Sequence, residues 1–146
     1  MTNKVIPSVS LNLENPIDLN FSPEKLVRAL LALRNVSAGS FSFTFVDDPN
    51  MIALHEKFMN DPSTTDILTF NLNTLEEPEA DIYICVDEAK RNANRYKQSL
   101  DKEIQLLITH GILHALGYTD YDDDSKAIMF KEQDRLLALV EADYEI

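Results

Sequence analysis

With 146 residues and 45% hydrophobic content, the chain has room for one domain around a single core. A formal net charge of −12 argues against indiscriminate nucleic-acid binding by the whole surface, although a local basic face is compatible with it. No apolar run approaches the roughly 20 residues that a bilayer span needs.

Residues 1–7, MTNKVIP, lack a charged stretch followed by an apolar block, so no secretory signal is expected there. The polar–apolar pattern from Lys4 to Leu13 predicts a first strand. Ser22-Pro23 has the form of an N-cap followed by proline at the first helical position, and predicts a helix over 24–34. Ser40 to Val46, S-F-S-F-T-F-V, alternates with period two and reads as a half-buried strand. Asp48-Pro49 repeats the cap-plus-proline start and opens a helix to about Phe58, which carries His55 as a surface or boundary histidine. After a turn-rich connection, Asp66 to Leu72 reads as a strand. A polar loop around Glu76-Glu77-Pro78 leads to a further strand, Ala80 to Val86. The only cysteine, Cys85, lies in that apolar run, has no internal disulfide partner, and suits a buried thiol in a cytosolic protein. Asp87 is the expected cap of a helix to about Gln98, a second helix covers Leu100 to Leu116, and a last one runs from Asp123 to Ala142. Four strands interleaved with helices predict an α/β (α+β) fold with a mixed sheet in a single domain over residues 1–146, strand order left open.

The helix from Leu100 carries Ile104, Leu107, Ile108 and Leu113 at core-facing spacing. His110 and His114 are four apart, so two imidazoles project from one face about one turn apart, close enough for one metal ion. Gly117, three residues on, can take a positive φ and turn the chain back, which would return Asp120 towards the histidines. H-x-x-x-H-x-x-G-x-x-D follows the zincin logic of two helical histidines and a third ligand after a glycine turn. Three protein ligands leave a coordination position open, the catalytic pattern. The donor set suits zinc best and also admits nickel, manganese or iron. Zinc peptidases of this pattern place a glutamate base directly after the first histidine. Here that residue is Gly111, which disfavours peptide hydrolysis.

The segment H-G-I-L-H-A-L-G-Y-T-D resembles the H-G-x-L-H-x-x-G-Y-x-H signature of the YbeY family of bacterial endoribonucleases. Thr65-Asp66-Ile67-Leu68-Thr69-Phe70 is similar to that family's T-D-V-L-S-F strand, and Asp81-Ile82-Tyr83-Ile84-Cys85 to its G-D-I-x-I-x strand. Met129 falls where the family has a methionine on the last helix. The resemblance spans roughly residues 45–130. It implies a zincin-like fold and a metal-dependent, single-strand-specific endoribonuclease acting in ribosomal RNA processing, small-subunit maturation and ribosome quality control. It also implies rRNA and the small subunit as partners, with a ribosomal protein or GTPase beside them. His110 and His114 match as ligands, whereas Asp120 stands where the family has a histidine. A carboxylate there lowers the charge of the metal site by one and makes its bound water less acidic. The family arginine six residues before the threonine of T-D-V-L-S-F is replaced by Met59, and Lys57 is not aligned with it. If that arginine stabilises charge on the scissile phosphate, another cation is needed here.

Arg91, Arg95 and Lys102 line up on a predicted basic face just upstream of the metal helix. They suit RNA phosphates, or simply complement the helix dipole. Tyr83, Tyr96 and Tyr118 are candidates for base stacking. Asp122, Asp123 and Asp124 are expected to cap the last helix. Two competing functions stay open on these residues: a non-catalytic ribosome-maturation factor that binds RNA or a ribosomal protein, and a metallohydrolase or peptidase with another substrate. The catalytic base is unassigned.

Overall fold

The computed structural model describes residues 7–72 and 77–146. Lys4 to Ile6 of the expected first strand, and Glu76 of the expected loop, lie outside the described residues. The elements are β1 (Ser8–Leu13), α1 (Pro23–Leu33), β2 (Ser40–Val46), α2 (Asp48–Met59), β3 (Ile67–Asn71), β4 (Glu79–Cys85), α3 (Val86–Arg95), α4 (Leu100–Ala115) and α5 (Asp123–Asp143). The four strands form one mixed sheet in the order β1-β2-β4-β3. β1 and β4 run parallel to β2, and β3 is antiparallel to β4 at the edge. The α/β class read from the sequence is the fold observed.

Period two in β2 sorts its side chains. Phe41, Phe43 and Phe45 point to one face beside Ala80, Ile82 and Ile84 of β4. That face is covered by Leu26, Leu30 and Leu31 of α1 and by Ile104, Ile108 and Ile112 of α4, with Met129, Leu136 and Val140 of α5 completing the core. The opposite face holds a smaller cluster in which Met51 of α2 meets Val46, Leu68 and Cys85. Phe70 joins the two aromatic neighbours of that face, with ring centroids 5.0 Å from Phe58 and 6.0 Å from Tyr83.

Helix starts follow local chemistry, with two differences from expectation. Ser22 caps α1 through Lys25 N, with Pro23 at the first position, as its sequence predicts. In α2 the cap moves one residue back: Asp47 accepts from Asn50 N, and Asp48 is already helical. Asp87 does not cap its own helix, which begins after Cys85 without a side-chain cap. Instead its carboxylate accepts the backbone N–H of Asp48 at 2.9 Å and so helps to cap α2. The cause is topological. Val46 and Cys85 are paired at the ends of adjacent parallel strands, so the helices that follow both strands start side by side. Helix α3 also ends earlier than expected, at Arg95, because Lys97 takes a positive φ of 52°.

Candidate metal centre

Helix α4 lies over β3 and β4, and its approach is close because Gly111 has no side chain. A Cβ there would sit 3.0 Å from Ile82 Cγ2 and 3.2 Å from Ile67 Cδ1. Gly111 therefore faces the sheet, while His110 and His114 project beside it towards the β3 edge. The end of the helix is fixed by a glycine turn. Leu116 is the C-cap, Gly117 has φ of 100°, and the N–H groups of Gly117 and Tyr118 donate to His114 O (3.1 Å) and Leu113 O (3.0 Å). That is the Schellman pattern, which satisfies the last carbonyls and reverses the chain.

The same turn orients a histidine. His114 Nδ1 lies 3.0 Å from Tyr118 O, a carbonyl that only accepts, so Nδ1 carries the proton and Nε2 is left with its lone pair. Asn71 Nδ2 donates to His114 O at 3.1 Å and ties the end of β3 to the end of α4. Beyond the turn, Asp120 returns to the histidines. His110 Nε2 and His114 Nε2 are 2.9 Å apart, and Asp120 Oδ2 lies 3.7 Å and 3.6 Å from them.

These three donor atoms pass a simple fit test for a metal ion. The nearest point equidistant from all three, in their common plane, lies about 2.0 Å from each, the length of zinc bonds to imidazole nitrogen and carboxylate oxygen. Electrostatics agrees with the geometry. Burial, then the neighbouring His114, pulls the His110 pKa down to about 4 against the opposing pull of Asp120, so its imidazole is neutral at pH 7. A neutral imidazole is the form that binds metal.

A second group within ligand distance, Asp48, Cys85 and Asp87, has a different character. Both Asp48 oxygens are taken by Arg91, at 2.9 and 2.7 Å, and Asp87 is taken by Asp48 N. These groups satisfy one another and hold α2 against α3.

Two clefts open from the triad and share Asp66, Ile67, His110 and Asp120. The first, of about 430 Å³, runs along β3 and the glycine turn and is walled by Met59 and Tyr121, without a lysine or arginine. The second, of about 560 Å³, runs between α3, α4 and the start of α5 and is lined by Arg95, Tyr96, Lys126 and Phe130. At its floor Asn92 donates to Asp66 Oδ2 and Glu103 Oε1, and Gln98 donates to Glu103 Oε2. Burial pushes the pKa of both Asp66 and Glu103 up.

The three basic residues singled out in the sequence therefore separate. Arg95 faces the second cleft, Arg91 is engaged by Asp48 and Glu88, and Lys102 lines a groove against the C-terminal half of α5. Tyr83 packs on Phe70, Tyr118 lies under the Arg34 guanidinium at 5.4 Å, and Tyr96 is 64% exposed. His55, partly buried, joins Ser63 O at 2.8 Å and steadies the loop after α2. Sequence reasoning missed Lys126 and Phe130 as wall residues, since an i, i+4 pair on a capped helix gives no local sign of facing a cleft. Asp66 was read only as part of a strand motif. Its T-D context was the available signal.

Comparison with known proteins gives a consistent result. The family model described as Endoribonuclease YbeY matches residues 13–141. The curated Endoribonuclease YbeY of Thermobifida fusca is 37% identical over 144 residues, covering 89% of this chain and 93% of that protein. That of Flavobacterium psychrophilum is 28% identical, covering 77% and 81%. Among solved structures, a Thermotoga maritima protein determined in solution superposes with a TM-score of 0.63 at 21% identity, over 94% of this chain and 91% of that one, a likeness of fold.

Proposed function

The chain belongs to the YbeY endoribonuclease family, and from that premise we propose that it is a metal-dependent endoribonuclease cutting single-stranded RNA, with His110, His114 and Asp120 as the metal ligands. The observation that carries this reading is the convergence of three donor atoms around a point about 2.0 Å from each. Zinc is the metal that best suits two imidazoles and one carboxylate with an open position, nickel being the next candidate. The substrate is ribosomal RNA in small-subunit maturation and ribosome quality control, the setting is the cytoplasm, and a ribosomal protein or GTPase is the protein partner. Residues 1–146 act as one domain. No helix among the described residues is long and apolar enough to cross a membrane.

The side chains divide the work. His114 offers Nε2 because Tyr118 O holds its other nitrogen protonated, and His110 remains neutral because it is buried. A bound zinc ion would supply Lewis acidity towards a phosphoryl oxygen and would lower the pKa of a bound water, less far with a carboxylate ligand than with a third imidazole. Asp66, common to both clefts, has a proton affinity raised by burial and is placed to exchange a proton with a substrate lying there. Gly111 leaves no carboxylate at the position a zinc peptidase uses, which supports phosphodiester over peptide hydrolysis.

The test is metal content together with cleavage of single-stranded RNA and of casein by the purified protein. About one zinc per chain is expected, with RNA cut and casein intact, and both metal and cleavage lost in His114→Ala. Proteolysis without RNA cleavage would overturn the reading. Full metal occupancy in Asp120→Ala would remove Asp120 from the ligand set.

A further inference from the structure

The second cleft has a composition that neither the metal triad nor the fold requires. In a chain with 25 acidic and 13 basic residues, two cations stand together at its wall. The side chain of Arg95 is 59% exposed. Its guanidinium donates to Asn92 Oδ1 at 3.2 Å and lies 4.0 Å from Glu88, which leaves most of its five N–H donors free. Lys126 has no acidic partner within ion-pair distance among the described residues, and its ammonium lies 5.7 Å from the centre of the Phe130 ring. Beside these cations are two large rings that the core does not cover, Tyr96 at 64% and Phe130 at 42% exposure. The other wall of the site differs: the first cleft holds no lysine or arginine at all.

Exposed cations with free donors, interleaved with exposed aromatic rings, are what a single strand of nucleic acid needs, because phosphates take the charges and unpaired bases stack on the rings. Duplex RNA keeps its base faces covered and gains nothing from the rings. Of the cleft's carboxyls, Glu103 is buried at the floor beneath Asn92 and Gln98, Asp66 is bound by Asn92, and Asp120 belongs to the triad. Apart from Asp120, which is exposed but committed to the triad, the open charges of this wall are the two cations.

We propose that the α3–α5 cleft is the track for the nucleotides flanking the scissile bond on one side, with Arg95 and Lys126 binding phosphates and Tyr96 and Phe130 stacking bases. This rests on the endoribonuclease reading and adds to it a direction: RNA enters along α5 and reaches the triad at His110 and Asp120, the two triad residues that both clefts share.

The experiment measures binding of the zinc-loaded full chain to a fluorescent single-stranded 2′-O-methyl oligoribonucleotide, which resists cleavage, across a salt series. Lys126→Gln and Arg95→Gln are each expected to weaken binding several-fold and to reduce the slope of log affinity against log salt by about 0.7. Phe130→Leu, which keeps an apolar side chain, is expected to weaken binding about tenfold with the slope unchanged, because stacking carries no counterion release. Zinc content stays at the parental level in all three, so loss of folding is excluded as the cause. If the parental protein binds the strand and the three variants match it in affinity and slope, the track is wrong while the endoribonuclease reading stands. If the parental protein binds no single-stranded RNA, both fall together.

Discussion

Cys85 closes β4 with its thiol donating to Asp48 Oδ1 at 3.3 Å, and burial pushes its pKa up to about 11. Such a thiol is fully protonated at neutral pH, and the thiolate is the reactive form. Iodoacetamide at pH 8 should therefore leave Cys85 intact in the folded protein and label it only after denaturation; rapid labelling of the native state would contradict this. The linkage has a definite sign. The folded pKa is above the ordinary value of 9.0, so the folded state holds the proton more tightly, and this contribution to stability is lost as pH rises through about 9 to 11. Gly111 shows the same dependence of chemistry on packing. Its missing side chain was legible as the lack of a peptidase base. The structure adds that the position points at Ile82 and Ile67, so a glutamate there would enter the sheet interface.

At the scale of elements, the end of α4 joins stability to ligand orientation. Gly117 permits the turn that brings Tyr118 O to His114 Nδ1, and the same turn starts the return of Asp120. An L-residue forced into that conformation costs about 1–2 kcal/mol, so Gly117→Ala should lower the melting temperature by several degrees. It should also weaken zinc binding by about 10- to 100-fold, the usual effect of disturbing the partner of a ligating histidine. Thermal denaturation and a zinc titration check the two halves separately; an unchanged zinc affinity in a destabilised variant would show that the turn does not orient the ligand. The junction of α2 and α3 was less legible. Asp47, Asp48 and Asp87 are all cap-type residues, and their local sequence does not tell which helix each one serves. The register Val46 to Cys85 decides it by setting two helix starts side by side.

For the whole molecule, metal binding should appear as folding stability, because the three proposed ligands, His110, His114 and Asp120, are distant in space until the chain folds. At free zinc about a hundred times the dissociation constant, the gain is about 2.7 kcal/mol, which for a domain of this size raises the melting temperature by about 5–10 °C. Chelation should remove that increment from the parental protein and leave His114→Ala unmoved; equal melting temperatures with and without zinc would mean that the triad does not bind it. Net charge is a poor guide at this scale. A total of −12 conceals a cleft wall where, apart from Asp120 of the triad, the exposed charges are positive.

By itself the sequence determined the features that depend on neighbours within a few residues. These include the class of the fold, the alternation in β2, the Ser22 cap, the histidine pair one turn apart, and the glycine that ends α4. Periodicity and cap chemistry act over the length of one element, so they can be read without knowing what lies opposite. Only the tertiary structure decided how far Asp120 returns, that Arg91 is engaged by Asp48 whereas Arg95 faces the cleft, and that Lys126 and Phe130 share a wall with Tyr96. Each of those depends on strand order and helix packing between residues distant in the chain, and a side chain's neighbour across such a contact leaves no periodic mark in the sequence.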